Sequence, residues 1–324
     1  MKKLIATLLT LALSLLVLVG CGGGEPDDTQ IRVGYLNGPT GVGMAKMIND
    51  NKDDTTKYSF KSFVSDNTAA IASLKAGEVD VICLATNLAA NIKDDSVVLS
   101  INTLNTLFFI TDENHSLTSL SDLNGQTVYT CKAGTPKIIL EALLAEAGIS
   151  ATVKTETEGG AQITDPDALR AQIIAGSVPI AFAPEPIVSA SGVARESSGK
   201  APYSVDLDCD SLWAQTFGED SVLPMGCIVT RKSFAQEHPE VINDFLDEYK
   251  ASIEYISDAA NLDSAAQYVV DAGILPNLKI AKSAISNLGD SIAYIDGDAM
   301  KDALEAFYTL IGVALPNDEF YYEK

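Results

Sequence analysis

From residue 31 onward the chain alternates between two periodicities. Short apolar runs of strand length recur at 31–35, 58–64, 79–84, 97–104 and 107–111. Between them, apolar residues fall at helical spacing: Met44, Met47 and Ile48, then Ile71 and Leu74, then Leu88 and Ile92. Asp66 stands where it would cap the second of these helices, and Gly77 lies past its end. Strands alternating with helices predict a parallel α/β sheet, because a parallel return needs a crossover long enough to hold a helix. The pattern then restarts. Residues 126–130 and the region of Val153 read as strands, and Thr135-Pro136 opens a helix with Ile139, Leu140, Leu143 and Leu144 inward. Asp165 caps a helix with Leu169 and Ile173 inward, closed by Gly176, and 178–183 is a further strand.

The two stretches can be laid over one another. Leu74-Lys75-Ala76-Gly77-Glu78-Val79-Asp80-Val81 matches Ile173-Ile174-Ala175-Gly176-Ser177-Val178-Pro179-Ile180. Asn37-Gly38-Pro39-Thr40 matches Ala133-Gly134-Thr135-Pro136 in position, and Thr86-Asn87 corresponds to Glu185-Pro186. Repetition at about 100 residues predicts two similar lobes and not a solenoid. The remainder, a strand over 223–230 and helices bearing Val241, Phe245, Tyr249 and Ile253, then Met300, Leu304, Phe307 and Ile311, forms no third copy and is expected to fold back on the first lobe. The lobes are therefore expected at 31–104 with 226–324, and at 105–225, with two crossover segments near Thr103–Asn105 and Ser221–Gly226.

Two α/β lobes with two crossings form a cleft. Ligands of open parallel sheets sit at the carboxyl ends of the strands. Those ends carry Asn37, Pro39, Thr40, Gly41, Thr86 and Asn87 on one lobe, and Gly134, Thr135, Pro136 and Glu185 on the other. Thr40 is placed to cap a helix with its hydroxyl, and Gly41 and Gly43 would let a ligand approach the backbone. A helix start also presents free N–H groups and the positive end of its dipole, which suits an anionic or polar atom.

The first residues add a targeting signal. Met1-Lys2-Lys3 is basic, Leu4 to Val19 carries no charge, and Leu18-Val19-Gly20-Cys21 closes the segment, which is shorter than a membrane span. Residues 21–30, with Gly22-Gly23-Gly24, read as a flexible tether. Once residues 1–20 are removed, the charge is 20 − 44 = −24. Such acidity argues against nucleic acid and against tight binding to anionic lipid. Cys83, Cys131, Cys209 and Cys227 show no metal-type spacing. Cys83 is expected buried and reduced, while a Cys209–Cys227 bridge stays open for an exported chain.

These features together resemble the solute-binding lipoproteins of ABC importers. The resemblance rests on the lipobox, Val33-Gly34-Tyr35 with Gly38-Pro39-Thr40-Gly41, Ala76-Gly77-Glu78-Val79-Asp80, and Glu237-His238-Pro239-Glu240. The nearest group is the nitrate/sulfonate/taurine and thiamine-pyrimidine-precursor type. It implies a periplasmic-binding-protein-like fold of type II and a Cys21 that carries diacylglycerol and palmitate. It also implies a small solute as ligand, a permease and its cytoplasmic ATPase as partners, a membrane reached through the lipid anchor, and a monomer without cofactor or metal. The pocket residues it implies are those named above.

One departure concerns charge. Anion-binding members often place Arg or Lys in the cleft, whereas Lys132 is the only base in these loops. Glu185 suggests a ligand with an amine or ring nitrogen, the alternative being a solvated loop carboxylate; Trp213 and Tyr35 could stack on an aromatic ligand or pack in the core. An enzyme acting on a pyrimidine or chorismate-like molecule, with Glu185 or Asp66 as base, is the second reading, and a lipid-anchored sensor the third. His115 in a polar turn and His238 at a helix entry offer no catalytic triad.

Overall fold

The structure is a computed structural model and describes residues 29–53 and 56–324. The signal segment, Cys21 and most of the tether lie outside the described residues. The strands are β1 (Ile31–Tyr35), β2 (Tyr58–Ser62), β3 (Val81–Ala85), β4 (Ser96–Thr103), β5 (Leu107–Thr111), β6 (Thr127–Tyr129), β7 (Thr152–Lys154), β8 (Ile180–Pro184), β9 (Ser204–Asp208) and β10 (Gly226–Arg231). They form two five-stranded sheets, ordered β2-β1-β3-β10-β4 and β7-β6-β8-β5-β9. The orders are equivalent position by position. β1 is parallel to β2 and β3, as β6 is to β7 and β8. Each sheet holds one antiparallel strand in the equivalent place, β10, which returns from beyond the second sheet, in the first and β5 in the second. The internal repeat read from the sequence is therefore a repeat of topology.

Local chemistry explains why these elements form where they do. Asp66 accepts from Ala69 N at 2.9 Å and caps the helix Asn67–Lys75, and Asp165 accepts from Ala168 N at 2.8 Å at the start of Pro166–Ala175. Gly176 ends the latter at φ 81°, a left-handed conformation that costs a residue without Cβ nothing. Along β3 the side chains alternate. Ile82 and Leu84 enter one hydrophobic cluster, while Val81 and Cys83 enter another, where the long helix Pro239–Ser257 contributes Ile242, Phe245, Tyr249 and Ile253. Covered on both faces, β4 is buried along its whole length. The stretch after Pro186, for which the pattern predicted nothing, holds the helix Ile187–Ser197, β9 and the helix Cys209–Phe217.

Asp80, from the motif that carried the family resemblance, proves structural. Its buried carboxylate accepts from Arg32 Nε at 2.8 Å, Arg32 N at 3.0 Å and Arg231 Nη2 at 2.8 Å, joining β1 and β10 across the start of β3. The four described cysteines are free and buried. Burial pushes the Cys131 thiol up to about 11 and that of Cys83 up to about 12. No Cys209–Cys227 bridge forms: Cys209 opens a helix beside the second sheet, and Cys227 lies within β10 of the first.

Candidate ligand cleft

The register fixes which strand ends come together. Gly226 at the start of β10 pairs with Ala85 and Thr103, so the loops after β1, β3 and β4 share one edge of the first sheet. Leu107 pairs with Pro184, and Glu185 N donates to Thr106 O at 2.8 Å, so the loop after β8 meets the start of β5 at one edge of the second. Residues 104–106 alone separate β4 from β5. A linker that short makes the two edges face one another.

On the first edge, Asn102 Nδ2 donates to Thr40 O at 3.0 Å and Thr103 Oγ1 to Pro39 O at 3.3 Å. These bonds set the loop that begins the short helix Pro39–Val42. Gly226 makes them possible. A Cβ there would stand 2.5 Å from Asn102 Oδ1 and 2.6 Å from Thr40 Cγ2. Gly38 is the N-cap of this helix, and no side chain caps it, so the Thr40 hydroxyl is not the cap the sequence suggested. Gly41 also differs from expectation. A Cβ on it would lie 2.1 Å from the Leu36 carbonyl oxygen, so its role is to let the chain turn back on itself. Asn37 is half-buried and its Oδ1 accepts from Ser62 Oγ at 3.4 Å. Thr86 is buried. Its N–H donates to Met225 O, its carbonyl accepts from Tyr308 O–H at 3.1 Å, and its Oγ1 lies against the Cys227 thiol with no other partner among the described residues. Asn87 beside it is half-buried.

On the second edge, Gly134 is exposed at φ 81°, while Thr135 and Pro136 are buried at the start of the helix Pro136–Glu146. Thr135 occupies the cap position without a side-chain cap bond. Lys132 is exposed.

Glu185 is 3% exposed. Its carboxylate accepts from Asn287 Nδ2 at 2.6 Å, Ser189 Oγ at 2.8 Å and Ser189 N at 3.2 Å. Ser189 Oγ also meets Ser283 Oγ at 2.9 Å. Ser283 and Asn287 belong to the helix Leu278–Leu288, whose Ala284, Ile285 and Leu288 pack in the cluster under the first sheet. Glu185 therefore ties the second sheet to elements of the first, a role invisible in sequence because its partner is 102 residues away. Lys279 and Glu196 pair across the same two helices. Burial raises the Glu185 carboxyl above its ordinary value, opposed in part by the donors from Asn287 and Ser189. A folded state that holds this proton more tightly gains stability below the unfolded value, near 4.5, and loses it as pH rises through the folded one. We expect the stability of the parent relative to Glu185→Gln to fall across that window in urea titrations at stepped pH. Parallel curves would show that burial does not govern this group.

Tyr35 is buried, and its O–H donates to Ala272 O at 2.9 Å. Trp213 is buried against Phe217. His115 Nδ1 lies 2.6 Å from Asp112 Oδ1 in an exposed turn. Among the described residues, no group of three or more His, Cys, Asp or Glu is placed to hold a metal ion.

Two sheets of equivalent order, each with one antiparallel strand in the same place and β10 returning to the first sheet after the second is complete, define a type II periplasmic-binding-protein-like fold. Residues 65–260 match the family described as NMT1/THI5 like, and the chain belongs to that family. No curated protein matches it significantly. Its fold is similar to that of an ABC transporter protein from Parabacteroides distasonis, with TM-score 0.70, 20% identity, and 92% of this chain and 100% of that one covered. It is also similar to the periplasmic aliphatic sulphonate binding protein SsuA from Escherichia coli (0.62, 15% identity, 91% and 92% covered). A third similar structure is the periplasmic nitrate-binding protein NrtA from Synechocystis (0.59, 13% identity, 89% and 82% covered).

Proposed function

We propose that this chain is the solute-capturing component of an ABC importer. In this reading it is exported, anchored to the outer face of the membrane through lipidated Cys21, and acts as a monomer. Segments 31–104 and 226–324 form one lobe and 105–225 the other. Hinge closure about the two crossings encloses a small polar or heteroaromatic solute, which is handed to a permease driven by a cytoplasmic ATPase. The observation that carries the reading is the pair of facing strand edges joined by the 104–106 linker, with polar loops fixed on both sides. The sulphonate and nitrate named for two proteins of similar fold, and the thiamine-precursor resemblance of the sequence, supply the solute classes.

Asn37, Pro39, Thr40, Gly41, Thr86, Asn87, Gly134, Thr135, Pro136 and Glu185 are the proposed pocket, with unequal parts. Glu185 already has three donors, so it acts by joining the lobes and the solute needs no amine to pair with it. Thr40, Thr135 and backbone N–H groups then hold the solute, which favours a neutral or anionic group. Binding is the reading preferred to catalysis, because two proteins of similar fold are named as sulphonate- and nitrate-binding proteins.

A thermal-shift screen against sulfonates, nitrate and thiamine-precursor pyrimidines tests this. At a hundredfold excess over Kd the folded state gains about 2.7 kcal/mol, a rise of several degrees. Thr40→Ala and Thr135→Ala should each weaken the solute so found by about threefold to tenfold, the worth of one neutral hydrogen bond. Unchanged affinity in both variants would remove these loops from the pocket.

A further inference from the structure

Ala299, Asp302, Ala303, Ala306, Phe307 and Leu310 recur along the helix Gly297–Leu310 at the spacing of a helical stripe. This stripe forms one wall of a cavity of about 530 Å³. The facing wall is Trp213 and Phe217, whose ring centroids lie 4.1 Å apart at an interplanar angle of 31°, together with the segment 220–223 that leads into β10. Small alanines on one side and aromatic rings on the other leave the space open. The cavity shares no residue with the cleft loops described above.

Its charge is one-sided. Asp220 and Asp302 stand at its margin, both exposed, and neither has an ion pair or hydrogen bond among the described residues. No Lys, Arg or His lines it. The volume falls within the range that encloses small organic ligands. An apolar body would remove the aromatic and alanine surface from water, a ring could stack on Trp213 or Phe217, and a cation would meet two carboxylates that have no other partner.

We propose that this cavity is a second ligand site, for a small amphiphilic monocation that joins an ammonium group to an aromatic ring. The cavity lies between the two proposed lobes, with 221–223 of the second crossing in its wall, but the proposal uses none of the proposed pocket residues and so stands whether or not the importer reading does. Trp213 is the single tryptophan of the chain, so its emission reports occupancy directly. The purified full-length protein is titrated with benzyltrimethylammonium, with benzyl alcohol and phenylacetate as neutral and anionic comparisons. The cation should give a saturable change in emission, benzyl alcohol should bind at least fivefold more weakly, and phenylacetate more weakly still.

Asp220→Asn and Asp302→Asn should each weaken the cation by about fivefold, the upper range for a solvent-exposed ion pair, and leave benzyl alcohol unaffected. Both positions are exposed, so neither change threatens folding. Ala306→Phe, also at an exposed position, should obstruct the cavity and weaken the response while far-UV circular dichroism stays unchanged. No saturable response, equal affinity for the three probes, or Asn variants that bind the cation like the parent would each overturn the proposal.

Discussion

Replacing Asp80 with alanine is expected to cost about 3 kcal/mol of folding stability, the low end for removing one member of a buried ionic cluster. Asp80 is 1% exposed, and its carboxylate accepts from both the side chain and the backbone of Arg32 and from Arg231. Removing it strands two guanidinium groups and one backbone N–H. The loss stays at the low end because Arg32 is 43% exposed along its side chain and Arg231 20%, so water reaches both. Arg231 also keeps its bond to Leu74 O at 2.9 Å. The check is the urea midpoint at constant m-value. A change under 1 kcal/mol would mean that the cluster specifies strand register without stabilising it.

The same carboxylate carries a pH signature. Burial pushes its pKa up, but the hydrogen bonds from Arg32 and Arg231 outweigh burial and hold it below the ordinary value. Its contribution is therefore present above about 3.8, the unfolded value, and disappears as pH falls through the lower folded value. This is the opposite of Glu185, whose contribution disappears as pH rises. The difference between Asp80→Ala and parent should shrink on acidification, while that between Glu185→Gln and parent should respond at higher pH.

The second large effect is expected at Asn287. Its amide is the donor that reaches Glu185 from the helix packed under the first sheet. Asn287→Ala leaves a buried carboxylate short of a donor, a loss of about 2 kcal/mol for a bond to a charged group. If the two lobes separate to relieve it, the equilibrium between joined and separated forms shifts by about thirtyfold. Small-angle scattering without solute should then give a larger radius of gyration than the parent, and solute should restore it. Ser283→Ala, which removes one hydroxyl contact to Ser189, should act in the same direction more weakly. A radius unchanged in both variants would mean that the Glu185 network stabilises one lobe and does not hold the two together.

Legibility of the fold followed the range of the interactions. The helices Asn67–Lys75 and Pro166–Ala175 were readable because their caps, apolar spacing and terminal glycines all lie within a dozen residues. The helix Ile187–Ser197 was not. Its serines at 189, 191 and 197 and its Gly192 are weak helix formers, and burial of Ile187, Val188 and Ala190 supports it instead. Thr40 and Thr135 show the limit of motif reading: both stand at helix starts, yet neither side chain caps its helix.

The sequence by itself determined the alternation of strands and helices, the repeat behind two equivalent sheets, and the loops that gather at their carboxyl edges. Period and capping are properties of neighbouring residues, and a repeat needs only comparison of the chain with itself. Tertiary structure alone decided that β5 and β10 run antiparallel to the strands beside them, that Gly41 and Gly226 serve backbone packing, and that Asp80 binds two arginines. It alone turned Glu185 from an open loop carboxylate into a buried acceptor for Asn287 and Ser189. Gly41 against Leu36 and Glu185 against Ser189 are contacts four or five positions apart; the other outcomes depend on residues tens to more than a hundred positions apart, and no local pattern of side chains encodes which distant partner will arrive.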